Sequence, residues 1–377
     1  MIVHGLVSLA DYLGDFVVYR NLQPVDPSLP GLSQLVSRLG LPGGIPRKTE
    51  IDYARVVAAM LDSAARADGR EPRLRRLVAL GDTRLYDISA FRNLCRVTGW
   101  RGQAFICAEN TSEPASLENH ESGVYLSNRW ALLGQFVADL RSRDFAVDED
   151  TVIMVDLDKT AVGARGRNDH TIDQARIEGV RRTAATLLGT SYDEERFLVA
   201  YYKLNQQAYH PFTADNQDYL VYVCLVIAAG LRRLDDVTAE VEGGTLRSFA
   251  QFIEQVNERY SDLAGTPLAA VHDSVLARFR AGDPTPFKAF RHNEFRATIE
   301  RFGRLEGTPS AQEALAGEIV VTHEVVELAW HWRGKGALVF GISDKPDEAA
   351  LPTPEAASAG YLPLHRARTH CVGEPFP

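Results

Sequence analysis

Residues 152–160 read Val-Ile-Met-Val-Asp-Leu-Asp-Lys-Thr, and no other stretch narrows the possible folds as far. Val152, Ile153, Met154 and Val155 make a short apolar run rich in β-branched residues, the pattern of a buried strand. The strand then delivers Asp156 and Asp158 together, with Thr160 two places on. Two carboxylates at the mouth of a buried strand repel, and a cation or a shared proton relieves them. A strand end whose acid merely caps the next helix needs one Asp, not two, and Gly163 to Gly166 starts no helix promptly. One chemistry suited to this geometry is a carboxylate nucleophile beside a second carboxylate that moves a proton, with Mg²⁺ between them and a phosphate.

The surroundings of this strand alternate between helix and strand. Residues 51–67 place Val56, Val57, Met60, Leu61 and Ala64 at helical spacing. A strand is expected at 77–80, ended by Gly81-Asp82, then a helix at 88–96, a strand at 104–108 and a long amphipathic helix at 125–143. One further strand is expected at 16–19, within a segment rich in Pro and Gly. This alternation predicts an α/β layer with a parallel sheet. Past Gly163 the helical period takes over, with helices expected at 173–188, 193–203, 217–234, 245–260, 267–280, 294–302 and 311–332, and strand signals nearly vanish. The strand pattern returns at 337–342, ended by Ser343-Asp344-Lys345-Pro346, and a last short strand is expected near 369–372. The expected organisation is therefore an α/β part over 1–162, an inserted all-α domain over 163–334, and a second α/β part with an irregular tail over 335–377.

Composition removes several function classes. A net charge of −9 across 377 residues argues against a nucleic-acid surface and leaves room for a local basic pocket. The most apolar run, 219–231, is shorter than the roughly 20 residues a membrane span needs. Cys95, Cys107, Cys224 and Cys371 are scattered with no CxxC pair, as for small buried hydrophobes in a reducing compartment. Met1 to Leu13 lacks a basic n-region and already contains Asp11, so a cytoplasmic protein is expected.

Other residues fall where they would complete a site around the Asp pair. Gly81 lets the backbone turn at a strand end, and Asp82 and Asp87 follow in the loop before a helix. Alone, Asp82 reads as a helix cap; beside Asp156 it reads as a further oxygen for a hard cation. Ser343 ends an apolar strand and has a hydroxyl to offer a phosphate oxygen, or simply a turn. Lys48, just before a helix, can balance a phosphoryl group and a nucleophile. Arg165 and Arg167 lie in a glycine-containing loop and suit oxyanions, unless the loop is only a linker. Asp215 and Asn216 belong to a polar cluster between two helices, which reads as a helix cap or as a substrate-reading loop. His323 and His331 share a helix without an HExxH pattern, and Gly243-Gly244-Thr245 has no lysine after it, so neither is taken as a site.

Taken together these residues resemble the haloacid dehalogenase-like (HAD) superfamily. Asp156, Asp158 and Thr160 match its DxDxT strand, Ser343 its second motif, Lys48 its third, and Gly81, Asp82 and Asp87 its acidic fourth motif in the longer form. Lys345 is the other lysine open to the third role. The order departs from the family, since the third and fourth motifs precede the first and the second lies near the end. A circular permutation, cut between the third strand and the motif lysine, accounts for this.

The resemblance implies a Rossmann-like α/β core with a parallel sheet, in permuted strand order, and a helical cap inserted after the DxDxT strand. It implies a Mg²⁺-dependent phosphatase acting on a small phosphorylated metabolite. Asp156 is the expected nucleophile and Asp158 the expected acid and base. Mg²⁺ is expected on Asp156, on the backbone carbonyl of Asp158 and on Asp82, with Asp87 in support. Ser343 and Lys48 are expected on the phosphoryl oxygens. The expected substrate contacts are Thr160, Arg165, Arg167, Asp215 and Asn216. A phosphomutase, or a non-catalytic binding protein on the same scaffold, are the alternatives.

Overall fold

The strands, in chain order, are β1 (Ile2–Val7), β2 (Val17–Val18), β3 (Arg76–Gly81), β4 (Arg101–Cys107), β5 (Leu117–Glu121), β6 (Val124–Ser127), β7 (Thr151–Asp156), β8 (Val321–Thr322), β9 (Leu338–Ile342) and β10 (Thr369–Gly373). The computed structural model describes residues 1–69, 74–121, 123–189 and 193–376. Seven strands form one sheet in the order β2-β9-β7-β3-β4-β6-β5, all parallel to their neighbours except β5. The α/β expectation and its mostly parallel sheet therefore hold.

Every residue of β7 is buried, as its apolar run requires. Its register sets Leu80 against Val155 on one side and Ile342 against Asp156 on the other. Asp156, Asp82 and Ser343 thus leave the same edge of the sheet. The helix Ile51–Ala67 buries Val56, Val57, Met60, Leu61 and Ala64, the periodic set. It packs in one core with Leu77, Val152, Met154 and Leu338. The helix Tyr86–Thr98 adds Ile88, Phe91 and Leu94 to that core.

Three expected helices are corrected. Residues 125–143 are not one helix: β6 runs to Ser127, and the helix proper is Leu133–Ser142. Tyr125 fits both patterns, but its backbone pairs with β4 and β5, and its ring meets Phe136 of the helix edge-on at 5.1 Å. Residues 311–332 break into the helices Ala311–Gly317 and His323–Gly334 with β8 between them. The run Ile319-Val320-Val321 is β-branched and prefers extension, and β8 pairs with β10 in a second sheet of order β1-β10-β8. The helix expected to reach Leu234 stops at Ala228, because Gly230 takes φ +77°.

The chain divides into two compact units, Met1–Ala175 with Thr298–Pro377, and Arg176–Ala297. The helical insert is accordingly narrower than 163–334. Its expected flanks belong to the α/β unit: Gly163 N–H donates to the Val320 carbonyl at 2.9 Å, and the Asn168 side chain bonds the backbone at Leu315, Glu318 and Val320. Within the second unit, the helix Gln217–Ala228 is buried almost all round, from Leu220 through Ala228. Asp218 at its start is fully buried, and its carboxylate takes Arg291 and the Phe287 N–H at 3.0 Å. Among the described residues no helix is long and apolar enough to cross a membrane.

Candidate active site

Gly81 ends β3 with no room for a side chain, since a Cβ there would lie 2.7 Å from the Asp87 carboxyl carbon. That close approach lets Asp87, in the first turn of the helix Tyr86–Thr98, fold back over the loop. Its Oδ2 accepts the N–H groups of Asp82 (3.1 Å) and Thr83 (2.9 Å) and the Thr83 hydroxyl (2.8 Å). Its Oδ1 accepts Lys48 Nζ at 2.8 Å. Both oxygens of Asp87 are thus spent on protein donors.

Lys48 arrives from the loop before the helix Ile51–Ala67 and is 2% exposed. Its ammonium bridges Asp87 and Asp156, reaching Asp156 Oδ1 at 2.6 Å. Asp82 accepts Arg165 Nε on Oδ2. Among the described residues, Oδ2 of Asp156 and Oδ1 of Asp82 take no protein donor. One carboxylate oxygen from each of Asp82, Asp87 and Asp156 lies within 4.8 Å of the others, and all three residues are buried. An all-oxygen donor set, crowded and out of water, fits a hard divalent cation. Asp156 and Asp82 supply the oxygens left open for it, while Asp87 is held by its own hydrogen bonds.

The electrostatics follow from burial. Burial pushes the Asp156 carboxyl well up, Lys48 pulls it back, and the Asp87 and Asp82 charges push it up again. Asp82 is pushed up to about 7, first by burial and then by Asp87, against the pull of Arg165 and Lys48. Asp87 ends below the usual carboxylate range: burial raises it, but Lys48 and the hydrogen bonds from Thr83 outweigh that. For Lys48, burial lowers the ammonium's pKa, and Asp156 with Asp87 more than reverses it. The lysine is charged; it holds Asp87 ionised and offsets part of the burial that raises Asp156.

The second carboxylate has a lysine of its own. Lys345 Nζ lies 3.5 Å from Asp158 Oδ1, so the two lysines weighed for one role reach two different acids. Ser343, buried at the end of β9, accepts the Lys345 N–H on Oγ at 3.0 Å and donates its own N–H to the Val18 carbonyl. Just past the acids the chain turns tightly: Lys159 takes φ +63°, and Val162 N–H closes on the Leu157 carbonyl at 3.0 Å.

The other expected substrate contacts have these surroundings. Thr160 is fully buried; its carbonyl accepts the Thr322 hydroxyl at 2.6 Å, and its own hydroxyl has no hydrogen-bond partner among the described residues. Arg167 is enclosed between Glu109 and Glu324, with bonds of 2.9 Å to both carboxylates, so its charge is already matched. In the helical unit, Asn216 caps the helix Gln217–Ala228 by accepting the Asp218 N–H at 3.0 Å, and its amide donates to the Pro284 carbonyl. Asp215 beside it takes φ +52° and faces His210 at 3.5 Å. Arg165 pairs with Asp82 of the acidic cluster. Glu109 went unnoticed in the sequence. Its signal was an acid two places past the end of a strand, the same signature that marked Asp158.

No family model, no curated protein and no solved structure matches this chain.

Proposed function

We propose that this chain is a divalent-cation-dependent phosphoric monoester hydrolase built on a circularly permuted HAD-like core. The observation that carries this reading is the meeting of Lys48, Asp82 and Asp87 with Asp156 at one sheet edge, although all three precede it in sequence. Lys48 Nζ lies 2.6 Å from Asp156, and the three carboxylates lie within 4.8 Å of one another. A further support is strand adjacency: β7 lies between β9, which leads into Ser343, and β3, which leads into Asp82. In this reading β2, beside β9 and ahead of Lys48, is the third strand. The cut then falls before β2, one strand earlier than the sequence suggested.

The residues divide the work as follows. Asp156, whose carboxylate form Lys48 favours, attacks phosphorus and forms an aspartyl-phosphate while the bond to the leaving oxygen breaks. Asp158 gives that oxygen its proton. Asp158 then takes a proton from water, whose oxygen attacks phosphorus; phosphate leaves and Asp156 is regenerated. Lys345 holds Asp158 in place, and the Ser343 hydroxyl retains its proton to donate to a phosphoryl oxygen. Mg²⁺ bound by Asp156 and Asp82 would supply charge neutralisation for the phosphoryl oxygens. Asp87 acts through Lys48 as a positioning residue.

Turnover of p-nitrophenyl phosphate tests this reading. Asp156→Asn should bring it to background with the melting temperature little changed, and excess chelator should silence the wild type. Activity retained by D156N removes the nucleophile assignment. Cation binding without turnover across a broad panel of phosphate esters would identify a binding protein instead.

A further inference from the structure

Arg165 is attached to a fixed backbone but carries an exposed head. Its N–H donates to the Lys159 carbonyl at 2.7 Å, and its carbonyl accepts the Glu109 N–H at 3.0 Å. The next residue, Gly166, takes φ +75°, and a Cβ there would lie 1.9 Å from the Glu109 carbonyl oxygen. The main chain therefore cannot carry the side chain away. The side chain can move by itself, because it is 36% exposed where its partner Asp82 is only 4% exposed. Asp82 is the one carboxylate within ion-pair reach of Arg165 among the described residues. The charges of Asp169 and Asp158 also act on Arg165, from beyond ion-pair range.

These placements create a conflict of occupancy. Arg165 Nε lies against Asp82 Oδ2 on the same carboxylate that a divalent cation needs, and two positive groups cannot share so small a buried carboxylate without mutual repulsion. A planar guanidinium fork, once displaced, matches the oxygens of a phosphoryl dianion. We propose that Arg165 is a displaceable latch, closed on Asp82 in the cation-free protein, released when a divalent cation takes Asp82, and then turned to the phosphoryl oxygens. This rests on the hydrolase reading above. It adds an order of events, in which the cation must load before the arginine is free for the substrate.

The sign of one measurement separates the latch from an ordinary orienting contact. Mn²⁺ is titrated into the whole protein, wild type and Arg165→Gln, with free Mn²⁺ read by its electron paramagnetic resonance signal. Inorganic phosphate is then titrated into the Mn²⁺-loaded proteins. Thermal melts establish that both are folded. R165Q should bind Mn²⁺ about 5-fold more tightly or better, the scale of a partly exposed ion pair. The loaded variant should bind phosphate about 10-fold more weakly. Arg165→Lys, which keeps a charge on Asp82, should stay near wild type for Mn²⁺. Equal or weaker Mn²⁺ binding by R165Q overturns the latch and leaves the hydrolase reading intact. Tighter Mn²⁺ binding with unchanged phosphate binding overturns the hand-over. Absence of Mn²⁺ binding by both proteins removes the reading and the latch together.

Discussion

Lys48 is 2% exposed, and both of its ion-pair partners are buried carboxylates. A buried charge pair is a modest source of stability, but removing one member leaves the other uncompensated and costs about 3–5 kcal/mol. Lys48→Met should therefore lower stability in denaturant titrations at pH 8 by roughly that amount. Without the ammonium, Asp156 and Asp87 hold protons in the folded state at pH values where the unfolded chain has lost them. A folded pKa above the unfolded one gives stability that is present at low pH and lost as pH rises. K48M should thus recover much of its deficit between pH 8 and pH 5, and a deficit independent of pH would mean that Lys48 matters only for packing. The Asp156–Asp158 pair was legible in the sequence because two acids at the end of an apolar run form a local signal. The contact between Arg165 and Asp82 was not, because it joins residues 83 apart through a turn whose course the sequence does not reveal.

At the level of elements, the Arg167 cluster ties three of them together. Glu109 follows β4, Arg167 lies in the loop after β7, and Glu324 opens the helix His323–Gly334. Their side chains are 5%, 2% and 1% exposed, so this junction is dry and each partner depends on the others. Arg167→Met should cost about 3–5 kcal/mol in a denaturant titration, yet leave the turnover of each folded molecule near wild type. A large loss of turnover at full folding would return Arg167 to the substrate. Helices with a strong apolar period, such as Ile51–Ala67, could be read directly from the sequence. β6 was not, because Tyr125 and Leu126 can extend the apolar stripe of the following helix equally well. β1 was not, because most of its residues are exposed and no alternation marks a buried face.

For the whole chain, the permuted reading makes a physical demand on its ends. β1 and β10 pair antiparallel, and the Met1 amino group reaches Glu374 at 2.7 Å. A linker of a few residues can therefore join these two strands. Opening the chain in the exposed stretch 141–144 would then start it just ahead of β7, with Ser343, Lys48 and Asp82 following in that order. Such a variant should fold to the same core and bind Mn²⁺ with wild-type affinity, because every ligand keeps its strand; a folded variant without cation binding would count against the permuted core. The native order has another consequence, which falls on synthesis. β7 finds β3 already made, but β9, its other neighbour, follows about 180 residues later, after the helical unit. At roughly 5–20 residues per second, that interval is on the order of ten to forty seconds. Throughout it Val152, Ile153, Met154 and Val155 lie on an open sheet edge, the kind of edge that other nascent chains can join. The strand that carries Asp156 is thus left with one side unguarded while the whole helical unit is made, and slow translation or crowded polysomes would be paid for in aggregated chains.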